Sequence, residues 1–373
     1  MRTELCERFG IEYPIFVFTP SEKVAAAVSK AGGLGVLGCV RFNDADDLEE
    51  VLQWMDANTD GKPYGVDIVM PAKIPTEGTA VDINKLIPQS HRDFVAKTLA
   101  DLGVPPLPED EEKNEGVLGW LHSVARSHVD VALKHPIKLI ANALGSPPVD
   151  VIEQAHAAGV PVAALAGSAK HALRHVENGV DIVVAQGHEA GGHTGEIGSV
   201  VLWPEIVDAL DGRAPVLAAG GIGTGRQVAA ALALGAQGVW MGSAFLTAAE
   251  YDLGHRLPGG TSTIQDALLR ATTADTVRRK IYTGKPARLL KTKWTDAWDA
   301  LDAPEPLPMP LQNILVSEAH QRMNESDNPD TVSMPVGQIV GRMNEIRPAA
   351  DIIAELVAGF EQATKRLDGI AGA

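Results

Sequence analysis

The sequence predicts an α/β chain folded as a closed (β/α)8 barrel, with a helical insertion after strand 3 and a C-terminal extension forming a smaller lid region. Three observations carry this. Short apolar, β-branched runs alternate with Ala-rich helical patterns along the first 250 residues. The runs are near-continuously apolar, as expected of parallel strands covered by helices. Eight are present, and seven are followed by a helix or helical insertion. A doubly wound open sheet is the runner-up, because strand number does not by itself require closure.

Taken in order, the first strand is Ile15–Phe18, followed by a helix over Pro20–Ala31 in which Pro20 and Ser21 suit the first turn. The second strand is Gly35–Gly38 and its helix spans Asp44–Met55. Tyr64–Met70 is the third strand. Later strands are Ile137–Ala141, Val162–Leu165, Asp181–Gln186, Val216–Ala219 and Gly238–Met241. Helical patterns at about 148–158, 168–178, 202–211 and 224–235 separate them.

Two segments break the rhythm. Residues 71–136 hold two helices and the acidic hinge PPLPEDEEKNEG. Following a strand, this insertion would stand over the C-terminal barrel face and shape substrate access. Residues 251–373 include the loop DAPEPLPMPLQ and end in an amphipathic helix, Ala349–Leu367. The expected organisation is a barrel of 1–70 and 137–250, an insertion of 71–136 over the active-site face, and a lid region of 251–373.

Composition narrows the function. The chain has 373 residues, 45% of them hydrophobic, and a net charge of −16. That charge repels a phosphate backbone and argues against nucleic-acid binding. Cys6 and Cys39 make neither a disulfide framework nor a metal cluster and fit a reducing compartment. The start MRTELCERFG lacks the apolar core of a secretory signal. Val228–Ala249 is uncharged over a membrane-spanning length, but Gly235, Gln237, Gly238, Gly242 and Ser243 interrupt it. It reads as a buried helix, a turn and a buried strand, in a soluble cytoplasmic protein.

Three glycine motifs stand out. Gly33-Leu-Gly35-Val-Leu-Gly38 matches G-x-G-x-x-G, yet it follows a helix and runs into a strand, the reverse of a dinucleotide fingerprint. Tight helix–strand packing is the better reading. Ala218-Ala-Gly-Gly-Ile-Gly-Thr-Gly225 follows the seventh strand and opens a helix; its glycines at 220, 221, 223 and 225 would let backbone approach an anion. Met241-Gly242-Ser243 follows the eighth strand. Turns after strands seven and eight are where such barrels commonly hold a phosphate.

After the sixth strand comes Gln186-Gly-His-Glu-Ala-Gly-Gly-His-Thr-Gly-Glu196. A zincin helix needs H-E-x-x-H, whereas His188 and His193 are five apart and Gly191-Gly192 would spoil a helix. An imidazole at a barrel rim is instead placed for acid/base or electrostatic work. His193, flanked by small neighbours, is the stronger candidate, and His188 reads as a loop histidine bonded to backbone.

Together these motifs resemble the nitronate monooxygenase family, formerly called 2-nitropropane dioxygenases. It is a family of FMN-dependent TIM barrels that also includes flavin-type enoyl-acyl carrier protein reductases and some NADH:quinone reductases. The matching pieces are Ala27–Gly35, Tyr64–Asp67, Gln186–Gly195, Ala219–Gly223, Met241–Phe245, Tyr282–Arg288 and Gly337–Gly341. The resemblance implies that His193 faces flavin and substrate. Gln186, Gly187 and Gly192 would lie along the flavin, and Gly221, Gly223, Gly242 and Ser243 would hold its phosphate. Phe16 begins the segment Phe16-Val-Phe-Thr-Pro20, which replaces a more usual Ala-Pro-Met stretch under the flavin. Asp67 stands where a flavin-contacting Asn is common, and Leu165 where some members carry a lysine.

The implied activity is oxidation of an alkyl nitronate with O2 as electron acceptor, giving a carbonyl compound and nitrite, with no metal. The flavin would do the redox chemistry and the protein would supply position and electrostatics. Two alternatives remain open: an NAD(P)H-dependent reductase of a quinone or enoyl-thioester, and a non-catalytic flavin-binding module. The sequence leaves the oligomeric state open.

Overall fold

The computed structural model describes residues 1–70, 83–108 and 122–372. Its first half comprises α1 (Glu4–Phe9), β1 (Ile15–Thr19), α2 (Glu22–Lys30), β2 (Leu34–Gly38), α3 (Ala45–Asn58), β3 (Tyr64–Asp67), α4 (Gln89–Asp101), α5 (His122–Ala132), β4 (Ile140–Asn142), α6 (Val149–Ala157), β5 (Val162–Ala166) and α7 (Ala169–Glu177). Then follow β6 (Ile182–Gln186), β7 (Gly192–His193), α8 (Ser199–Leu210), β8 (Val216–Ala219), α9 (Gly225–Ala233), β9 (Gly238–Met241), α10 (Thr263–Arg270), β10 (Thr276–Arg279), β11 (Ala287–Leu290), α11 (Lys293–Trp298), α12 (Leu311–Asn324) and α13 (Ala349–Ala371).

Strands β1, β2, β3, β4, β5, β6, β8 and β9 close into a parallel barrel, with β9 hydrogen-bonded back to β1. Closure decides against the open sheet. Alternation along each strand divides the core. Phe16, Leu34, Val36, Leu139, Ala141, Ala163, Val184 and Leu217 fill the interior, floored by Leu5, Cys6 and Phe9 of α1. Ile15, Val17, Val183, Ala185, Ala218 and Val239 point outward into the helices. Trp203 of α8 ties two strands from outside, its Nε1 donating to the carbonyls of Ala185 and Ala219 at 3.1 Å each.

The Gly33–Gly38 motif packs as expected. A Cβ on Gly35 would lie 2.0 Å from the Ala25 carbonyl oxygen, and one on Gly33 would lie 2.8 Å from the Ile15 oxygen. Helix α2 therefore rests on β2 through backbone. Gly35→Ala is expected to destabilise the fold by about 3 kcal/mol, the upper end for overpacking, because neither backbone segment can yield. An unchanged urea midpoint would show that α2 can shift away.

The third strand ends at Asp67 rather than Met70 because a side chain takes over the ladder. Asn142, fully buried, accepts from the Met70 N–H at 2.9 Å and donates to the Met70 and Gly145 carbonyls. Helix α8 begins at Ser199, three residues before the pattern indicates, because Glu189 caps it from outside. Its carboxylate accepts from the Ser199 N–H at 3.0 Å and the Ser199 hydroxyl at 2.7 Å.

Parts of the insertion and the C-terminal region share a second core. Val95 and Leu99 of α4 pack with Trp294, Trp298, Val316 and Met323. Arg322 donates to the Val104 and Pro105 carbonyls at 2.9 and 2.8 Å. Other parts of both segments belong by packing to the barrel wall. Ala125 and Val129 of α5 join the outer core beside Leu48 and Leu52 of α3. Ile352, Ile353 and Leu356 of α13 join the core beside Val228 of α9 and Val24 of α2, filling the place of an eighth barrel helix. Most of the acidic hinge lies outside the described residues. No described helix is long and apolar enough to cross a membrane.

Candidate active site

Inward positions at the C-terminal ends of the strands build the wall of the mouth. Phe16 lies below it, fully buried, its ring edge-on to Phe9 at 5.3 Å. Two residues on, half-buried Phe18 faces the same way, nearer the mouth, and a Cβ on Gly38 would meet its ring at 2.9 Å. Asp67 sits beside Gly38 in the β2–β3 register and beside Ala141 in the β3–β4 register. It is 2% exposed. Its Oδ1 has no hydrogen-bond partner among the described residues. Burial pushes its carboxyl up to about 7.

The opposite wall comes from the segment after β6. Gln186 ends that strand, half-buried. Gly187 and Gly191 are glycine by contact: a Cβ on Gly187 would meet Ser199 Oγ at 2.0 Å, and one on Gly191 would meet Val336 and Gly337 at 2.8 Å. Gly192 differs. It has φ of +74° and open space where a Cβ would point, so the backbone there is left-handed and uncovered. His188 is tied into the loop, with Nδ1 against the Gly195 carbonyl at 3.2 Å and its own carbonyl held by Arg288.

His193 lies on the short strand β7, which pairs with β11 and extends the antiparallel sheet β10–β11–β7. The hairpin linking β10 and β11 places Thr283 against it, Nε2 to Oγ1 at 2.6 Å. Burial, and then the charge of nearby Lys285, depress His193 to about 4, so the imidazole is neutral at neutral pH. Tyr282 and Tyr251 lie within electrostatic reach of one another. Burial raises both phenols, which keeps them protonated donors.

The glycine turns divide by their surroundings. Gly221 has φ of +70° and only Glu189 carbons beyond 3.4 Å for neighbours. Gly223 has Ile339 against its Cα and gives its N–H to Gln227 Oε1 at 3.0 Å. Gly225 is a helix-packing glycine: a Cβ there would strike the Leu356 oxygen of α13 at 2.1 Å. Gly242 is unobstructed, and Ser243 Oγ accepts from the Gly337 N–H at 2.9 Å. Among the described residues no backbone carbonyl takes the N–H of Gly221, Gly242 or Ser243. These three remain the best candidates for a phosphate.

The arrangement suits a planar ligand. Gly192 leaves backbone open to its face, Asp67 presents an orphaned oxygen, and the Gly221 and Gly242 turns offer unpaired donors. Sequence reasoning did not single out Phe18, Thr283, Tyr251, Tyr282 or Lys285. Phe18 lay within the Phe16-Val-Phe-Thr-Pro20 segment, and Tyr282, Thr283 and Lys285 within the Tyr282–Arg288 motif, but none was given a role there, and Tyr251 lay in no motif.

A family model described as nitronate monooxygenase matches residues 2–359. A Mycobacterium tuberculosis protein named as a monooxygenase, Rv1533, is 45% identical over 99% of both chains. A Staphylococcus aureus protein named as a nitronate monooxygenase is 28% identical, over 97% of this chain and 98% of its own. Among solved structures, nitroalkane oxidase from Streptomyces ansochromogenes superposes with a TM-score of 0.78 at 26% identity, covering 97% of this chain and 99% of its own. FabK from Thermotoga maritima gives 0.74 at 26% identity over 99% of both chains.

Proposed function

The chain belongs to the nitronate monooxygenase family of flavin oxidoreductases, and from that premise we propose that it binds FMN and oxidatively denitrifies alkyl nitronates with O2. The observation that carries this is His193 on Thr283, with Lys285 beside it, at the mouth of a closed barrel. When bound, the flavin supplies the redox chemistry, accepting electrons from substrate and returning them to O2.

The residues divide the remaining work. Gly221, Gly242 and Ser243 hold the phosphate, and Gly192 and Gln186 lie along the ring. Lys285 supplies positive potential that draws in an anionic nitronate and holds it near His193. An anion beside the imidazole also raises its proton affinity, opposing the depression seen without substrate. His193 is then a hydrogen-bond donor to a preformed nitronate, and a base toward a neutral nitroalkane. Thr283 fixes the ring in either role.

One observation favours a second reading: the chain matches FabK over its full length almost as well as it matches nitroalkane oxidase. That supports an NAD(P)H-dependent reductase of an enoyl-thioester or quinone. Anaerobic mixing decides between them. Rapid flavin bleaching by nitronate, with nitrite released on readmitting O2, is the expected result. Bleaching by NAD(P)H alone would overturn the proposal in favour of the second reading.

The phosphate site has its own test. Gly221→Asp puts a carboxylate where backbone donors should meet the phosphate, at a φ that L side chains rarely adopt. FMN affinity is expected to fall about a hundredfold in a folded variant, the loss of two charge-assisted hydrogen bonds. Unchanged affinity would take this turn out of the site.

A further inference from the structure

On the FMN reading above, we propose that Asp67 is a neutral carboxylic acid in the loaded enzyme, donating its O–H to an acceptor atom of the flavin ring, so that cofactor binding takes up a proton. The geometry begins with the strand. Tyr64 and Val66 pack outward among the helices, so Asp67 faces the barrel axis. Its neighbours in register are Gly38, without a side chain, and Ala141, with a methyl. In the sheet, therefore, no polar side chain flanks this buried carboxyl, and its orphaned oxygen stays on the inner face near the mouth.

No described neighbour pays for a negative charge at this point. Just past β2, the Cys39 thiol donates to the Leu37 carbonyl among the outward-packed side chains, and burial first, then the charge of Asp67, hold it protonated. Arg41, beyond Cys39, is engaged by Glu22 and lies over the Phe42 ring at 4.4 Å. From β4, the Asn142 amide is committed to Met70 and Gly145. From β1 the neighbour is Phe18, and Lys285 stands with His193 on the wall built by β7 and β11. A buried carboxylate with an orphaned oxygen is costly, whereas a carboxylic acid meets a ligand acceptor with its own proton. Burial has already moved the carboxyl up to about 7, and an acceptor atom bonded to its O–H would favour the neutral form further.

Linkage gives the test. Above the pKa of the free protein, each pH unit should weaken binding about tenfold if one proton enters with the ligand. FMN and riboflavin would be titrated into flavin-stripped protein by fluorescence quenching between pH 6 and 9. Riboflavin removes the phosphate, whose own titration lies near pH 6. Proton uptake would be read in parallel with an indicator dye in weak buffer.

For the wild type we expect both ligands to weaken about tenfold per unit above pH 7.5, with close to one proton taken up. Asp67→Asn keeps a donor at every pH, and its affinity should be flat. A pH-independent wild type, an equal slope in Asp67→Asn, or proton release on binding overturns the inference; release would mean that an ionised Asp67 accepts from the ring. The proton count on wild type decides the matter even if the variant fails to fold. Absence of any flavin binding overturns the FMN reading and this inference together, while binding without proton uptake overturns the inference alone.

Discussion

His193→Asn should leave FMN bound and slow flavin reduction by a neutral nitroalkane about a hundredfold or more, the usual scale for a lost acid/base group. The hydrogen bond of this side chain runs to Thr283 and not to the Gly221 or Gly242 turns, so on the FMN proposal cofactor content should hold. The asparagine amide ends short of the Nε2 position that meets Thr283 at 2.6 Å, so that bond is lost, but the β7–β11 backbone pairing remains to hold the strand. What is lost is a group that takes up a proton. The depressed value of about 4 gives the pH dependence its sign. In the free enzyme His193 is already in its basic form at neutral pH, so kcat/KM for a neutral nitroalkane should stay level down to about pH 5 and fall below it. A preformed nitronate needs no proton removed, and its rate should fall less in the variant. Stopped-flow comparison of the two substrates separates base from electrostatic stabiliser. Near-wild-type reduction by both, or a larger defect in His188→Asn, would move the assignment elsewhere.

The contrast between the two histidines shows what the sequence carried. Small neighbours singled out His193 in the sequence; in the structure Gly192 has open space where a Cβ would point, while the imidazole itself is buried against Thr283. His188, read as a loop histidine, is bonded to the Gly195 carbonyl. Strand order and closure were equally legible, because a parallel strand must bury both faces and is written as an apolar run. Long-range partners were not. Thr283 is 90 residues from His193 and reaches it through a sheet whose strand β7 has two residues, too short for any periodic pattern. The Glu189 cap hides the true start of α8 for the same reason. Glycine motifs were legible as close approaches, but not by what approaches. Gly223 and Gly225 answer to Ile339 and α13, whereas Gly192 and Gly221 answer to backbone angle.

His320→Phe should make the folded protein less sensitive to acid, by about 1.4 kcal/mol per pH unit between pH 6 and 4.5. His320 of α12 borders the core shared by α4, α11 and α12, stacked on Tyr282 with centroids 4.8 Å apart and edge-on to Trp294 at 6.0 Å. Its Nε2 is buried and has no partner among the described residues, and burial depresses the group to about 3. The unfolded chain binds a proton near the ordinary histidine value, about 6.5, while the folded chain refuses it until about 3. Stability from this group is therefore complete above pH 6.5 and is lost progressively as pH falls. His193 adds a slope of the same sign, and Asp67, pushed up to about 7, one of opposite sign between about pH 7 and 4. Those two oppose one another, while buried His128 and His175, also held below the ordinary histidine value, keep their slopes in both proteins, so the variant isolates the share of His320. Phenylalanine keeps the stack on Tyr282 and removes the ring nitrogens that titrate. Urea unfolding at pH 7.5, 6 and 4.5 should show parallel behaviour above pH 6.5 and divergence below it, with the variant more resistant. An unchanged slope would mean that the imidazole is protonated in place, and that this core admits a charge the packing of Trp294, Trp298 and Val316 argues against.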